Sequence, residues 1–316
     1  MTNNFSAATE FSTKDTYLPP NWLDIKFSLY LVGEGLSIPC YLFVFYHLLA
    51  KKAARTTLCN HSPLVVLIFS FINLIIDLPL QMSYYRRGFY LPFNPAICLV
   101  HRLVDYGMWY GAIIAMLWLS FERHLLIFHS NLVRTARGRL VFHYAPVIYF
   151  CLLFLRPCEQ KYNAYIFLCG GPFDKCPLSS ALSWYLVIAH DIVPVPLIVI
   201  LSGNLLVRVI VQKRRLQHGN SWRQNRKMMM QFMFLSVVYI IFILPFAIVR
   251  LLITVGITNF NTNVSFFLFN MTNVLSIVIS YAMAVSLPNL RQKLRTLVCQ
   301  KPTEENVFIL TYRARP

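Results

Sequence analysis

Seven long apolar runs dominate this sequence and limit what the chain can fold into. A helix needs roughly 20 apolar residues to cross a bilayer, and within lipid it satisfies its backbone hydrogen bonds internally. Charged residues make up 13% of the 316 residues, whereas soluble domains carry about 25%. The sequence therefore predicts an all-α membrane protein built as a seven-transmembrane helix bundle. The predicted spans are residues 27–49, 63–83, 99–122, 140–155, 182–211, 229–252 and 266–287.

The distribution of lysine and arginine predicts the orientation of the chain. The formal net charge is +17, but the basic residues cluster between the apolar runs, which argues against nucleic acid as a partner. By the positive-inside rule, the more basic set of connecting segments is cytoplasmic. We therefore expect a multi-pass plasma-membrane protein with an extracellular N-terminus and a cytoplasmic C-terminus. The cytoplasmic set includes Lys51, Lys52, Arg55, Arg134, Arg137, Arg139, Lys213, Arg214, Arg215, Arg223, Arg226, Lys227, Arg291, Lys293 and Arg295.

Three segments follow from this topology. Residues 1–26 are expected to be extracellular, residues 27–287 to form the seven-transmembrane domain, and residues 288–316 to form a cytoplasmic amphipathic helix and tail. A sequon at residues 4–6 makes Asn4 a candidate glycosylation site.

The tail begins with a short amphipathic pattern. Leu290, Leu294 and Leu297 recur at helical spacing between basic residues, which is typical of a helix lying on an anionic inner leaflet. Membrane lipid is therefore an expected partner. Cys299, at the end of this helix, is a candidate palmitoylation site.

The third span connects a cysteine at its outer end, Cys98, to an ion pair at its inner end, formed by Glu122 and Arg123. Outside the cell, Cys98 can form a disulfide with a cysteine in the following extracellular loop. Cys169 and Cys176 are both candidates, and the sequence does not choose between them.

Asp77 lies in the second span, where a charge costs at least about 2.5–3.5 kcal/mol on insertion scales. It is therefore expected to face a polar bundle interior, with Asn273 of the seventh span as its nearest partner. A buried carboxylate in such a place can hold a cation or take up a proton.

Prolines interrupt the backbone hydrogen bonds of two other spans. Pro194 and Pro196 in the fifth span and Pro245 in the sixth should kink or loosen their helices, since proline has no amide donor.

These features together resemble the rhodopsin-like class of G-protein-coupled receptors over the whole membrane region. Cys98 precedes Arg123 by the family's spacing, and Glu122, Arg123 and His124 are similar to its D/E-R-Y motif. Tyr281 resembles the tyrosine of its NPxxY motif.

Other matches and departures complete the resemblance. Pro245 is similar to the family's sixth-span proline, and Asp77 and Asn273 resemble its sodium site, so Na⁺ at Asp77 is the one cofactor expected. Tyr41 stands where the family usually has asparagine, and the NPxxY asparagine and proline are absent.

The resemblance implies a receptor that binds an extracellular ligand and activates heterotrimeric G proteins. Ligand binding would move the fifth and sixth spans outward and free Arg123, restrained by Glu122, for the G protein. Tyr281 and Pro245 would take part in this rearrangement. The basic loop from Lys213 to Lys227 would suit an acidic partner or a lipid surface.

The ligand is expected to be a peptide or a small amine. Asp105, two helical turns from Cys98, resembles the acid used by aminergic receptors, and Tyr106 and Trp109 lie close to it in sequence. Asp105 could instead pair with Arg102 or with Arg250. His190 and Asp191 are further pocket candidates, although adjacent helical residues normally point in different directions.

Competing classes are weaker. A transporter could use Asp77, Asp105 and Asp191 as an ion pathway, but the sequence shows no internal repeat. An enzyme is not expected, because we find no metal-binding histidine pair and no nucleophile beside a base. A retinal-binding opsin is excluded because the seventh span has no lysine.

Overall fold

The computed structural model describes residues 20–50, 61–87, 95–128, 181, 184–185, 187–215, 220–255 and 262–286. All regular elements in these ranges are helices. The predicted fourth span and the amphipathic helix of the tail lie outside the described residues. The same is true of Asn4, Cys169, Cys176 and Cys299.

Six of the seven predicted spans are described, and each contains a helix long and apolar enough to cross a membrane. The spans are numbered first to seventh as predicted from the sequence. Three of them are single helices: the first is Pro20–Ala50, the sixth Asn220–Thr254 and the seventh Thr262–Ser286. The other three contain a π-helical segment: the second consists of His61–Ile72, the π-helical Asn73–Asp77 and Leu78–Arg87, the third of Pro95–Arg102, the π-helical Leu103–Met108 and Trp109–Phe128, and the fifth of the π-helical Val187–Ile192 and Pro194–Arg215.

The six described spans pack into a closed ring that includes the third span. The first span contacts the second and the seventh, the third contacts the second and the fifth, and the sixth contacts the fifth and the seventh. In the most apolar stretch of the third span 61% of the residues are buried, whereas in the most apolar stretch of the first span 22% are buried. The third span is therefore central, and the first presents most of its apolar side chains to lipid.

The fifth span shows the loosening expected at Pro194. The amide of Val193 donates to the carbonyl of Ile188, 2.9 Å away and five residues earlier, which is a π-type hydrogen bond. The sixth span, by contrast, continues as one helix through Pro245.

The predicted basic loop from Lys213 to Lys227 is helical at both ends. The fifth helix continues to Arg215, and the sixth begins at Asn220, before the predicted start at residue 229. Glutamine, arginine, lysine and methionine are good helix formers, so the helix does not stop where the apolar run stops.

Hydroxyl groups of the first span bind backbone carbonyls of the seventh. Tyr30 donates to Asn270 O at 2.9 Å, Ser37 Oγ donates to Ile277 O at 3.3 Å, and Tyr41 donates to Ser276 O at 2.7 Å. Tyr41, one of the departures from the family pattern, therefore anchors the seventh span.

Gly33 marks a close approach between these two helices. A Cβ atom at Gly33 would lie 2.9 Å from Cδ1 of Ile277, whereas a Cβ at Gly35 would meet nothing within 4 Å. We expect Gly33→Val to destabilise the protein by about 1–3 kcal/mol through overpacking, measured as a lower melting temperature in detergent. Gly35→Val is the matched control. Adding Ile277→Ala should restore most of the loss, and a failure to do so would contradict this packing.

Candidate functional site

Three acids lie in π-helical segments of the membrane spans. Asp77, Asp105 and Asp191 have exposures of 2%, 8% and 0%, and their segments interrupt the second, third and fifth spans. Single π-turns inside helices occur frequently at functional sites. Because a charge in the membrane is costly without partners, the contacts of these acids indicate what the site can do.

Asp77 belongs to a buried network that joins three spans. Nε2 of His101 lies 2.8 Å from Oδ1 of Asp77. Gln81 Nε2 donates to Oδ2 of Asp77 at 2.7 Å, and Asn273 Nδ2 donates to Oε1 of Gln81 at 2.6 Å. Gln81 therefore stands between Asp77 and Asn273, which the sequence suggested as direct neighbours.

This network lies close to the end of the bundle that carries Cys98. His101 follows Cys98 by about one helical turn, whereas Arg123 lies about 33 Å farther along the same helix. Asp77 is therefore near the Cys98 end and not at mid-bundle. Nitrogen atoms of His101 and Gln81 contact the two carboxylate oxygens of Asp77. A hard cation such as Na⁺ is bound by oxygen atoms, so these neighbours do not fit a cation at Asp77. Sodium at Asp77 stays a prediction from the sequence and is not used below.

Asp105 lies among charges of both signs. It is 8% exposed, and Asp77, His101, Arg250 and Arg102 are near enough to act on it electrostatically. The choice of Arg102, Arg250 or a ligand amine as its partner stays a prediction from the sequence.

Asp191 makes two long contacts, with Tyr110 and with Arg250. The hydroxyl of Tyr110 donates to Oδ2 of Asp191 at 3.5 Å, and Nε of Arg250 lies 4.0 Å from the same oxygen. Oδ1 is buried without a hydrogen-bond partner among the described residues. The contact between Asp191 and Arg250 therefore joins the fifth and sixth spans at 4.0 Å.

His190 and Asp191 both turn toward the third span. Both are fully buried, and the His190 ring lies 5.2 Å from the ring of Tyr110, the residue that also contacts Asp191. Although adjacent helical residues normally point in different directions, both side chains here contact Tyr110. The π-turn holds more residues per turn than an α-helix, so neighbouring side chains diverge less.

The aromatic candidates line the same region. The Tyr106 ring lies 6.2 Å from that of Tyr110, and both Tyr106 and Trp109 are partly buried against the core. The acids, the aromatic rings and Arg250 form the outer polar cluster. Its members are Asp77, Gln81, His101, Asp105, Tyr106, Trp109, Tyr110, His190, Asp191, Arg250 and Asn273.

The Arg123 end carries a second buried polar group. Glu122 accepts a hydrogen bond from Ser62 of the second span, and both Glu122 and Arg123 are buried. Nε2 of His124 lies 2.7 Å from the carbonyl oxygen of Leu201 in the fifth span. The motif Glu122, Arg123 and His124 therefore touches helices on both sides of the third span.

The other predicted activation residues are not part of this polar group. Tyr281 is 38% exposed, and Pro245 lies half-buried within the sixth helix. Cys98 is disulfide-bonded and its partner lies outside the described residues, so the choice between Cys169 and Cys176 stays a prediction.

Sequence reasoning missed Ser62, Gln81 and His101. Helical spacing offered a signal for Gln81, because it follows Asp77 by four residues and residues four apart share a helix face. Ser62 and His101 gave no such signal, since Glu122 and Asp77, their partners, lie on other spans.

Known proteins share parts of this sequence. The apelin receptor B of Xenopus laevis is 29% identical over 122 residues, which are 39% of this chain and 31% of the relative. The apelin receptor of Xenopus tropicalis is 28% identical over 131 residues, 42% of this chain and 33% of the relative. The proteinase-activated receptor 4 of Rattus norvegicus is 35% identical over 66 residues, 21% of this chain and 17% of the relative. The matched segments thus span about a third of these relatives or less.

The family comparison covers far more of the chain. The sequence profile of the seven-transmembrane receptors of the rhodopsin family matches residues 41–282, which include Asp77, Asp105, Asp191 and the Glu122, Arg123 and His124 motif. This match agrees with the helical ring and adds the span that lies outside the described residues. The chain belongs to the rhodopsin family of seven-transmembrane receptors.

Proposed function

We propose that this protein is a cell-surface receptor that binds an extracellular ligand at the outer polar cluster and activates a heterotrimeric G protein at the Arg123 end. The observation that carries the proposal is the presence of two buried polar groups at opposite ends of one bundle, connected by the central third span. A ligand that prefers one packing of the bundle would shift the population toward that packing at both ends.

The orientation follows from charge and from Cys98. The basic segments belong in the cytoplasm, and the disulfide at Cys98 suits the oxidising exterior. The outer polar cluster then faces the extracellular medium and the Arg123 end faces the G protein. Membership of the rhodopsin family favours a receptor over a transporter that would use the same acids.

The ligand class is narrowed by the surroundings of Asp105. An amine ligand would need an accessible carboxylate, but Asp105 is only 8% exposed. A peptide, which offers several polar contacts, is therefore favoured over a small amine. Two relatives are named apelin receptors, which bears on the kind of receptor and leaves the ligand of this chain open.

Arg123→Ala tests the proposal in cells that express the full chain with each class of Gα subunit. We expect wild type to activate one class above background without added ligand, and Arg123→Ala to reduce that activity to background at matched surface expression. Arg86→Ala, which removes an exposed arginine from the opposite end of the bundle, should keep it. Activity that survives in Arg123→Ala, or a wild type inactive with every Gα class both in cells and as purified receptor, would contradict the proposal.

A further inference from the structure

The first span is the least covered of the six described spans. Only 22% of its most apolar stretch is buried, whereas the values for the other five spans lie between 39% and 61%. The residues that point away from the bundle recur every three or four positions, as one side of a helix does. We refer to this side as the lipid face of the first span; it contains the exposed residues Ser28, Val32, Gly35, Pro39, Leu42 and Tyr46.

Gly35 on the lipid face has no packing reason within the described part of the chain. Glycine weakens a helix relative to alanine, because its backbone has more conformational freedom to lose. At Gly33 the small residue is needed, since a Cβ atom there would lie 2.9 Å from Cδ1 of Ile277. A Cβ atom at Gly35 would meet nothing within 4 Å. Gly35 therefore leaves room for a close neighbour that the described residues do not supply.

Pro39 removes a hydrogen bond at the same place. The first helix continues through Pro39, and proline has no amide hydrogen, so the carbonyl of Gly35, four residues earlier, lacks its α-helical donor. Within the described ranges, no side chain donates to this oxygen. A backbone carbonyl without a donor is costly in lipid, where water cannot bind it. The lipid face therefore carries an acceptor that a closely packed neighbour would stabilise.

The depth of Gly35 narrows the choice of neighbour. At 1.5 Å per residue, Gly35 lies about 16 Å along the helix from Asp24 and about 22 Å from Ala50. The head groups of lipids and the hydroxyl groups of sterols lie at the surfaces of a hydrocarbon core about 30 Å thick. They do not reach the middle of the membrane, whereas another transmembrane helix passes through this depth.

We propose that the lipid face of the first span binds the same face of a second copy of this chain. Copies inserted in the same orientation can pair around a two-fold axis, so that each residue of the face meets its own counterpart. With Gly35 at the closest approach, Cα–H groups of the partner helix would contact the Gly35 carbonyl. Such contacts recur where small residues let transmembrane helices approach closely.

Charged side chains do not oppose this pairing within the lipid. Glu34 is partly buried and lies about 100° around the helix from Gly35, so it does not face the second copy. Asp24 is exposed, but it lies at the membrane surface, where salt screens the repulsion between two carboxylates.

The contact area limits the strength of the pairing. A strip about 10 Å wide along about 30 Å of helix is on the order of 300 Å² per copy. Stable protein complexes bury about 800 Å² per partner. We therefore expect monomers and pairs in equilibrium, with the fraction of pairs set by the protein-to-lipid ratio.

Energy transfer between labelled copies in vesicles tests the proposal. The full-length chain is reconstituted into phosphatidylcholine vesicles over a range of protein-to-lipid ratios, with donor and acceptor dyes at the N-termini of separate copies. Transfer between wild-type copies should exceed the level of random proximity and rise with the ratio. Unlabelled wild type should reduce it by competition.

Three variants assign the pairing to the lipid face. Gly35→Val fills the space at the closest approach, so association should weaken by about tenfold or more. Pro39→Ala returns an amide donor to the Gly35 carbonyl and should weaken association several-fold. Gly203→Val is the matched control, because a Cβ atom at Gly203 of the fifth span also meets nothing within 4 Å. It should pair like wild type, and a melting curve for each variant confirms that it is folded.

Wild-type transfer no higher than random proximity would overturn the proposal, as would Gly35→Val pairing as well as wild type or no better than Gly203→Val. The same titration in vesicles that contain cholesterol tests a sterol as the occupant of the face. Loss of pairing there would assign the face to a sterol and overturn the proposal, whereas unchanged pairing supports a second copy. Ligand and G protein are absent from these vesicles, so the result does not depend on the proposed function.

Discussion

Replacement of His101 by leucine is expected to remove most of the protein from the cell surface. The imidazole lies 2.8 Å from Asp77, and both side chains are almost fully buried. Removing one partner of a buried ion pair typically costs about 3–5 kcal/mol, because the other charge remains buried. Most folded proteins have only about 5–15 kcal/mol of stability in total, so a loss of this size should impair folding and export.

Surface labelling of intact cells measures this effect. The double variant Asp77→Leu with His101→Leu should recover much of the surface expression, because it removes both charges from the apolar interior. Gln81 would lose one acceptor in the double variant, so recovery should be incomplete. Normal surface expression of His101→Leu alone, with an unchanged melting temperature, would show that the pair does not stabilise the bundle.

Ser62→Ala is expected to raise ligand-independent G-protein activation by about tenfold or more. Ser62 donates to Glu122, next to Arg123, so this bond favours the described packing over any packing in which it is broken. A hydrogen bond to a charged group contributes about 1.5–3 kcal/mol, and each 1.4 kcal/mol is a factor of ten in an equilibrium. Glu122→Gln should change activity in the same direction.

Ser120→Ala is the matched control for Ser62→Ala. Ser120 is also a buried serine, but its hydroxyl donates to the carbonyl of Met116 in its own helix at 2.9 Å. That bond survives any rigid movement of the third span, so its loss should leave the equilibrium between packings unchanged. Equal activation by Ser62→Ala and Ser120→Ala would show that the bond to Glu122 does not restrain the receptor.

The architecture was largely predictable because apolar length is a strong constraint in membranes. Six predicted spans appear as helices at the expected places, and the family match supports the seven-helix bundle. The ends were less predictable. The sixth helix continues to Asn220 because a helix can leave the lipid without stopping, whereas an apolar run ends at the lipid boundary.

The sequence predicted several residues of the site but not which side chains contact each other. Asp105, His190 and Asp191 were expected in the pocket, and the structure brings them to one end of the bundle. The link between Asp77 and His101 was not foreseen, because residue counting assumes a regular helix. A π-turn at Asn73–Asp77 shifts the face on which Asp77 lies, and the sequence carries no clear signal for it.

Pairing between separate helices also decides which charge is accessible. In the sequence, Arg250 appeared only as a possible partner of Asp105. The packing shows that Asp105 is 8% exposed, whereas the side chain of Arg250 is 39% exposed. This difference depends on the neighbouring helices and could not be predicted from the sequence.

The hydroxyl contacts between the first and seventh spans tie these two helices together. Sliding them past each other would break the hydrogen bonds of Tyr30, Ser37 and Tyr41, each worth about 0.5–1.5 kcal/mol. The acceptors are backbone carbonyls, so these bonds fix the position of the seventh helix axis and not only of its side chains. The first and seventh spans should therefore move as one unit in any change of bundle packing.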